Sequence, residues 1–174
     1  MKMYQLCFLT LPLVVAASLN TTQSGQEKNG GAAASAGAQA THVMVMPGQI
    51  KWGPAPPALP PGSQMAVLEG DPTKAGAPFA IRAKLPDGYK VPPHWHPTDE
   101  KIVVLQGTFG MGFGERFDPA AGHELPAGSY VIAPKEVRHF AWAKGETIIH
   151  VSGMGPFDLT YVNPADDPRK AAKK

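Results

Sequence analysis

The sequence predicts an all-β fold in a single domain. Glycine and proline each occur 19 times among the 174 residues and separate short apolar runs, a pattern typical of strands joined by turns. No long segment carries apolar residues at helical spacing. Together these observations favour an antiparallel double sheet or a closed barrel.

Ten segments have the composition of strands, because they are short, apolar and bounded by turn residues. They are residues 42–46, 64–69, 78–85, 91–96, 101–106, 108–114, 129–133, 137–143, 147–152 and 157–162. The proline-rich segment 53–62 cannot be a central strand. We expect it to form an extended loop over the surface of the barrel.

The first 18 residues have the pattern of a secretory signal peptide. Lys2 precedes an apolar run from Leu6 to Ala17, and small residues follow it. The run is too short to span a bilayer comfortably, so we expect cleavage near residue 18 and an exported protein, periplasmic or extracellular, with no membrane contact afterwards. Cys7 is the only cysteine, so the mature chain would hold neither a disulfide nor a thiolate site.

The remaining chain divides into three parts by composition. Residues 19–40 are small and polar and predict a flexible, low-complexity spacer. Residues 41–165 then form the globular domain, a length suited to one core. Residues 166–174 are rich in lysine and are expected to be a basic, disordered tail.

Charge argues against a nucleic-acid partner. The chain has a formal net charge of +2, but residues 42–165 hold ten Lys or Arg against eleven Asp or Glu, a net of −1. No basic patch with interleaved aromatic residues occurs. We therefore expect a small-molecule ligand rather than a nucleic acid.

The candidate site begins with His94, His96 and Glu100. If the two histidines lie on a strand, the two-residue repeat of side chains places both imidazoles on one face. Pro97 ends regular pairing directly after them, and a short bend can bring Glu100 to the same point. Two imidazoles and a carboxylate suit a divalent ion of iron, manganese, nickel, copper or zinc.

The spacing of these residues resembles the first motif of the cupin superfamily, with Gly88 and Gly107 at its flanking glycine positions. Residues 128–143 resemble the second motif. Gly128, Pro134 and His139 fall at its usual positions, whereas Glu136 replaces a glycine and Ala143 an asparagine. Glutamate tolerates the backbone angle of such a turn poorly, so a displaced His139 and a three-ligand site are the alternative to a four-ligand site.

With these motifs the chain is identified as a member of the cupin superfamily over residues 65–155. The resemblance implies a jelly-roll β-barrel in which His94, His96, Glu100 and His139 bind one divalent metal ion. Two functions stay open. The protein is either a metal-dependent enzyme, dioxygenase-like or of an isomerase or lyase type, on a small oxygenated organic substrate, or a module that binds or senses a metal or small ligand without turnover.

Several other side chains are candidates for the site. Alternation along the strand from Glu100 would point Gln106 inward, where its amide could bind a metal-bound water or a substrate oxygen, or satisfy a backbone group. Tyr130 and Trp142 could line the cavity mouth. His42, His123 and His150 lie outside both motifs and are expected to have no metal role.

Residues 109–117 alternate bulky and bare positions. Phe109, Met111 and Phe113 are separated by glycines. Either the bulky face is core, or the glycines make room for a ligand. The sequence does not decide between these interpretations.

The resemblance also implies a homodimer, because small cupins often dimerise. Apolar side chains on the strand faces opposite the ligands would form the interface. These are Val103, Leu105, Phe140 and Trp142.

Overall fold

Nine antiparallel strands form a curled sheet in the computed structural model, which describes residues 42–171. The strands are β1 (Gly53–Pro54), β2 (Gln64–Gly70), β3 (Pro78–Leu85), β4 (Lys90–Trp95), β5 (Glu100–Phe113), β6 (His123–Pro126), β7 (Tyr130–Ala133), β8 (His139–Met154) and β9 (Thr160–Tyr161). The predicted signal peptide and most of the spacer lie outside the described residues.

Strand β8 holds the sheet together. Along one edge it pairs with β5 from Lys101–Ser152 to Phe113–His139. Along its other edge, its second half pairs with β3 and its first half with β4. A single strand of 16 residues therefore links the two sides of the barrel, and the all-β jelly-roll prediction is confirmed.

Apolar residues at alternating strand positions line the barrel interior. Strand β3 shows this most regularly, since every second residue from Phe79 to Leu85 is buried. Ile102, Val104, Ile149 and Val151 continue the same core from β5 and β8. The period-two alternation of strands produces this one-sided burial.

The predicted strands agree with the structure in the centre of the chain and differ where glycine intervenes. Residues 78–85 match β3. Segments 101–106 and 108–114, however, form one strand, because Gly107 continues it with a φ of +73°. A Cβ at Gly107 would overlap the carbonyl oxygen of Glu146, so glycine allows the close approach that keeps β5 paired. Segments 137–143 and 147–152 likewise join in β8.

The beginning of the described chain differs from prediction. Residues 42–46 form no strand and are exposed, although their composition is strand-like. In the proline-rich segment, Gly53–Pro54 pairs with the edge of β2, and the rest is a loop, as predicted. The hydroxyls of Tyr89 and Tyr161 hold this loop by donating to Pro60 O at 2.5 Å and Ala58 O at 2.8 Å.

The C-terminal segment is ordered up to residue 171, in contrast to the predicted tail. A 3-10 turn at Pro164–Asp166 leads into a short helix, α1 (Pro168–Ala171). Arg169 binds Asp167 at 2.8 Å and donates to Leu159 O at 2.9 Å. These bonds attach the segment to the barrel. The lysine-rich composition does not predict them. Within residues 42–171, no helix has the length and apolar character to cross a bilayer.

The glycines of β5 accommodate aromatic rings from β8. Gly110 lies opposite Trp142 and Gly112 opposite Phe140, and a Cβ at either glycine would overlap the facing ring. Phe117 covers these rings from outside, 5.2 Å from Phe140. The glycine face is thus filled by the protein's own side chains, not open to a ligand.

The other face of residues 109–113 points inward. Phe109 and Met111 are buried in the core, whereas Phe113 is half exposed. On the outer face, Phe140 is 1% exposed and is unavailable for the dimer contact predicted from it. Of that predicted surface, Leu105 remains exposed.

Candidate metal centre

Pairing between β4 and β8 brings the three motif histidines together. His94 lies directly opposite His139, and their ring centroids are 4.2 Å apart. His96 follows two residues later on the same face, 5.0 Å from His94 and 5.3 Å from His139. All three side chains are buried, and their ligand nitrogens lie within 4.8 Å of one another. The three histidines could therefore hold a metal ion.

Backbone carbonyls determine which nitrogen of each ring carries the proton. The Nδ1 atoms of His94, His96 and His139 contact the carbonyl oxygens of Pro92, Asp158 and Val137 at 2.7, 2.7 and 2.9 Å. A carbonyl can only accept, so each Nδ1 donates and each neutral ring keeps a lone pair on Nε2. This is the arrangement found around metal-ligating histidines.

Glu100 adds a carboxylate to the same point. Its Oε2 lies 3.5 Å from Nε2 of His96 and 3.4 Å from Nε2 of His139. Those two nitrogens are buried and have no hydrogen-bond partner, since a ring that donates through Nδ1 offers Glu100 no second proton. Lone pairs and a carboxylate facing one another repel, and a cation between them would remove the repulsion.

The pKa values follow from burial and from this proximity. Burial, with the neighbouring imidazoles second, lowers the pKa of His94 to about 3. Burial also lowers the pKa of His96. For Glu100, burial raises the pKa, and only protonated histidines beside the carboxyl group would lower that pKa toward about 2. Burial thus favours the neutral form of His94 and His96 at neutral pH, which is the form in which a histidine binds a metal.

A network around His96 was not predicted from the sequence. Phe157 stacks on its ring, with centroids 4.4 Å apart and 16° between the planes. The next residue, Asp158, supplies the carbonyl that accepts from His96, and its carboxylate lies 3.4 Å from Nη1 of Arg169. The C-terminal segment thereby supports the loop that orients a candidate ligand. The motif pattern carries no signal for a carbonyl 62 residues from its histidine.

The turn before His139 adopts the conformation that glycine would favour. Glu136 has a φ of +63° and is the only non-glycine residue with positive φ in the described chain. Its N–H donates to His96 O at 2.8 Å. Despite the unfavourable residue, His139 lies beside His94, so the structure does not show the displaced His139 that was the alternative to the four-ligand site.

A cavity of about 350 Å³ adjoins the histidines and Glu100. Its remaining wall is mainly apolar and includes Ile81, Ala83, Met111, Ile149, Val151 and Leu159. The proline-rich loop at Pro56–Leu59, the Pro72–Thr73 turn, Asp158 and Arg169 also line the cavity. The candidate ligands therefore occupy one wall of a mainly apolar, partly open cavity.

Three of the other candidates lie away from this cavity. Gln106 is exposed and donates to Glu146 at 3.3 Å, because the register shifts on both sides of it turn its side chain outward. The expectation that it points inward is wrong. Tyr130 is 58% exposed, and Trp142 packs on the outer face against Gly110 and Phe117; neither lines the cavity.

The histidines outside the motifs also lie apart from the cluster. His42 and His123 are exposed. His150 is half-buried and pairs with Arg82 and Val103 across the sheet. None of them belongs to the group that could hold a metal.

Comparison with known proteins identifies the family and the fold. The family model for the ChrR cupin-like domain matches residues 40–158. No curated protein matches the chain significantly. Many solved structures share the fold. A candidate acetylacetone dioxygenase from Methylibium petroleiphilum PM1 has 22% identity and a TM-score of 0.57, covering 75% of this chain and 88% of its own.

The polyketide cyclase RemF from Streptomyces resistomycificus has 17% identity and a TM-score of 0.56, covering 77% of this chain and 94% of its own. KdgF from Halomonas sp. has 21% identity and a TM-score of 0.50, covering 66% and 96%. At these identities the likeness shows a common fold only.

Proposed function

This chain belongs to the ChrR cupin-like domain family, and we propose that it is a metal-dependent, dioxygenase-like enzyme acting on a small oxygenated organic substrate. One observation carries the proposal. Three imidazole lone pairs and the Glu100 carboxylate converge, without a donor among them, at the wall of a mainly apolar cavity. A purely structural cluster would not need the adjoining space.

His94, His96, His139 and Glu100 would hold one divalent ion of iron, manganese, nickel, copper or zinc. Such an ion, when bound, polarises an oxygenated substrate or supplies oxygen chemistry. The chain's own residues do the rest. The three carbonyls keep the Nδ1 protons on the outer side of each ring, and the apolar wall excludes water from the reacting group.

The cavity itself supports a small organic substrate. Its volume of about 350 Å³ lies at the lower end of the range for ligand pockets. The solved neighbours include a candidate acetylacetone dioxygenase and a polyketide cyclase, whose named reactions concern oxygenated molecules. Since the likeness to them is one of fold, the argument depends on the site.

Metal titration tests the binding part of the proposal. We expect the metal-free full chain to gain thermal stability with one equivalent of Fe(II), Mn(II), Ni(II), Cu(II) or Zn(II), because an ion that binds only the folded state stabilises it. His139→Ala should weaken the best of these by more than about 100-fold, beyond the loss typical of an outer partner. His150→Ala, on the same strand but outside the cluster, is the matched control and should bind normally.

Oxygen uptake tests the catalytic part. We expect the loaded protein to consume dioxygen with a small phenol or diketone and His139→Ala to lose this activity. The alternative function, a module that binds or senses a metal or ligand without turnover, predicts stoichiometric metal binding with no uptake. Normal metal content in His139→Ala would contradict the four-ligand site.

We further propose that the protein is exported to the periplasm or beyond with residues 1–18 removed, and that it forms a homodimer. The apolar run after Lys2 supports export. Intact mass of the exported protein tests it, and a mass that retains residues 1–17 would contradict it. Sedimentation at tens of micromolar tests the dimer, which a monomer alone would contradict.

A further inference from the structure

The cavity has a polar end and an apolar end, and this asymmetry restricts its ligand. The candidate metal ligands form the polar end. The rest of the inner wall consists of hydrocarbon and thioether groups, among them Leu85, Val91, Phe109, Met111, Ile149 and Val151. A ligand that binds with one end at the histidines must place its other end among these groups.

The other polar side chains that line the cavity, those of Thr73, Asp158 and Arg169, are already paired. Arg169 binds Asp167 through Nε at 2.8 Å and lies 3.4 Å from Asp158. The hydroxyl of Thr73 donates to Asp71 at 2.7 Å. Among the described residues of this wall, no unpaired charge is therefore offered to the body of a ligand.

The effects of apolar and charged groups on the binding free energy determine which ligands this wall can bind. Each CH₂ group transferred from water into the cavity tightens binding by about fourfold. An ionised group placed there without a partner weakens binding by more than about 100-fold. The cavity volume of about 350 Å³ equals about twelve waters at ~30 Å³ each, enough for two fused aromatic rings or a medium alkyl chain.

We infer that the ligand of this site is an uncharged molecule with an oxygen donor at one end and an apolar aryl or alkyl body at the other. Sugars, amino acids and phosphate esters are excluded, since each would bring several polar or charged groups against the apolar wall. The inference rests on the proposed function only for the direction of the oxygen end.

A matched pair of probes tests this ligand class. 2-Naphthol has a hydroxyl and an apolar body, and 6-hydroxynaphthalene-2-sulfonate has the same ring system with a charge at the far end. Fluorescence titration of the metal-free full chain should give binding of 2-naphthol at least about 50-fold tighter than that of the sulfonate. Loading the protein with the metal that binds best in the titration above should tighten 2-naphthol binding further. His139→Ala should lose this metal-dependent increase in affinity but keep the affinity of the metal-free protein.

Ala83→Phe gives an independent check, because Ala83 is 6% exposed and lines the apolar wall. The added ring would occupy the space and should weaken 2-naphthol binding by at least about tenfold. The wild-type probe pair answers the question even if this variant does not fold. Equal or tighter binding of the sulfonate would overturn the inference whether or not metal binds. Discrimination between the probes without any metal binding would support it while contradicting the proposed function.

Discussion

Alternate residues of strands β5 and β8 form the two faces of the paired strands. The outer face is filled by side chains, and the inner face is open. On the outer face, the Trp142 and Phe140 rings lie on Gly110 and Gly112. On the inner face, the neighbouring side chains of β5 and β8 line a cavity of about 350 Å³. They include Phe109, Met111, His139 and Ala141.

This difference shows that a bare strand face indicates space only when the facing strand leaves it empty. The glycines of β5 could make room for a ligand, but the paired residues of β8 opposite Gly110 and Gly112 are Trp142 and Phe140. Their rings occupy that space. Inside, the small residue Ala141 has no such ring facing it. We infer that the outer face provides stability and the inner face provides binding, and the following predictions test this division.

The largest expected effect is on the outer face. Gly110→Val should destabilise the protein by about 3 kcal/mol or more, because its Cβ would overlap the half-buried Trp142 ring and overpacking of this severity is costly. The denaturant midpoint measures it. Gly53→Val is the control, since a Cβ there meets only Met65 O at 4.0 Å. Similar midpoints for both variants would contradict the tight packing of the outer face.

The next effect concerns the inner face and pH. In the metal-free protein the pKa of His94 is lowered from 6.5 to about 3, so between these values the unfolded chain binds a proton that the folded chain does not. Stability is therefore complete above about pH 6.5 and is lost as pH falls toward 3. We expect a loss of about 3 kcal/mol between pH 7 and pH 4.

Denaturant melts of the metal-free protein across this pH range measure the loss. His94→Gln, which cannot titrate, is the control and should show a flatter profile. An equally steep profile for His94→Gln would mean that the acid sensitivity arises from other residues. It would contradict the prediction that protonation of His94 on the inner face causes the loss of stability.

Much of the candidate site could be predicted because it depends on local spacing. The strand period places His94 and His96 on one face, and the bend at Pro97 brings Glu100 beside them. The position of His139 required the second motif, since nothing local relates β4 to β8. The all-β class could also be predicted from local sequence, because glycine and proline residues separate short apolar segments.

The unpredicted parts depend on long-range contacts or on breaks in alternation. Gln106 was expected inside, but the register shifts around it reverse its facing. The composition predicts a disordered tail around Arg169, but the hydrogen bonds of Arg169 to Leu159 and Asp167 make it part of the support for His96. Neither feature has a local pattern, because both require knowledge of which distant backbone atoms are near.

A smaller effect is expected from the C-terminal support of the inner face. Arg169→Gln should weaken metal binding by about tenfold, because Arg169 holds the loop whose Asp158 carbonyl orients His96. Isothermal titration with the best metal measures it. Lys170→Gln removes a neighbouring exposed charge and is the matched control. Equal affinities in the two variants would show that the segment does not act on the site.

The smallest effect is expected at Glu136, in the turn that precedes β8. Glu136 is exposed, and its two backbone hydrogen bonds, to His96 O at 2.8 Å and from Arg138 at 3.0 Å, do not depend on its side chain. Glu136→Gly should therefore stabilise the protein by about 0.5 kcal/mol. Relief of a left-handed conformation worth about 1 kcal/mol exceeds the entropy that glycine adds to the unfolded chain.

Glu136→Ala keeps the conformational cost and should not be stabilised, which separates backbone strain from loss of the side chain. Thermal melts compare the three proteins, and metal titration accompanies them. We expect unchanged metal affinity in both variants, because His139 is oriented by Val137 O at 2.9 Å and by its pairing with His94. Weaker metal binding in Glu136→Gly alone would instead show that the strained turn positions His139, so that the inner face depends on the strain.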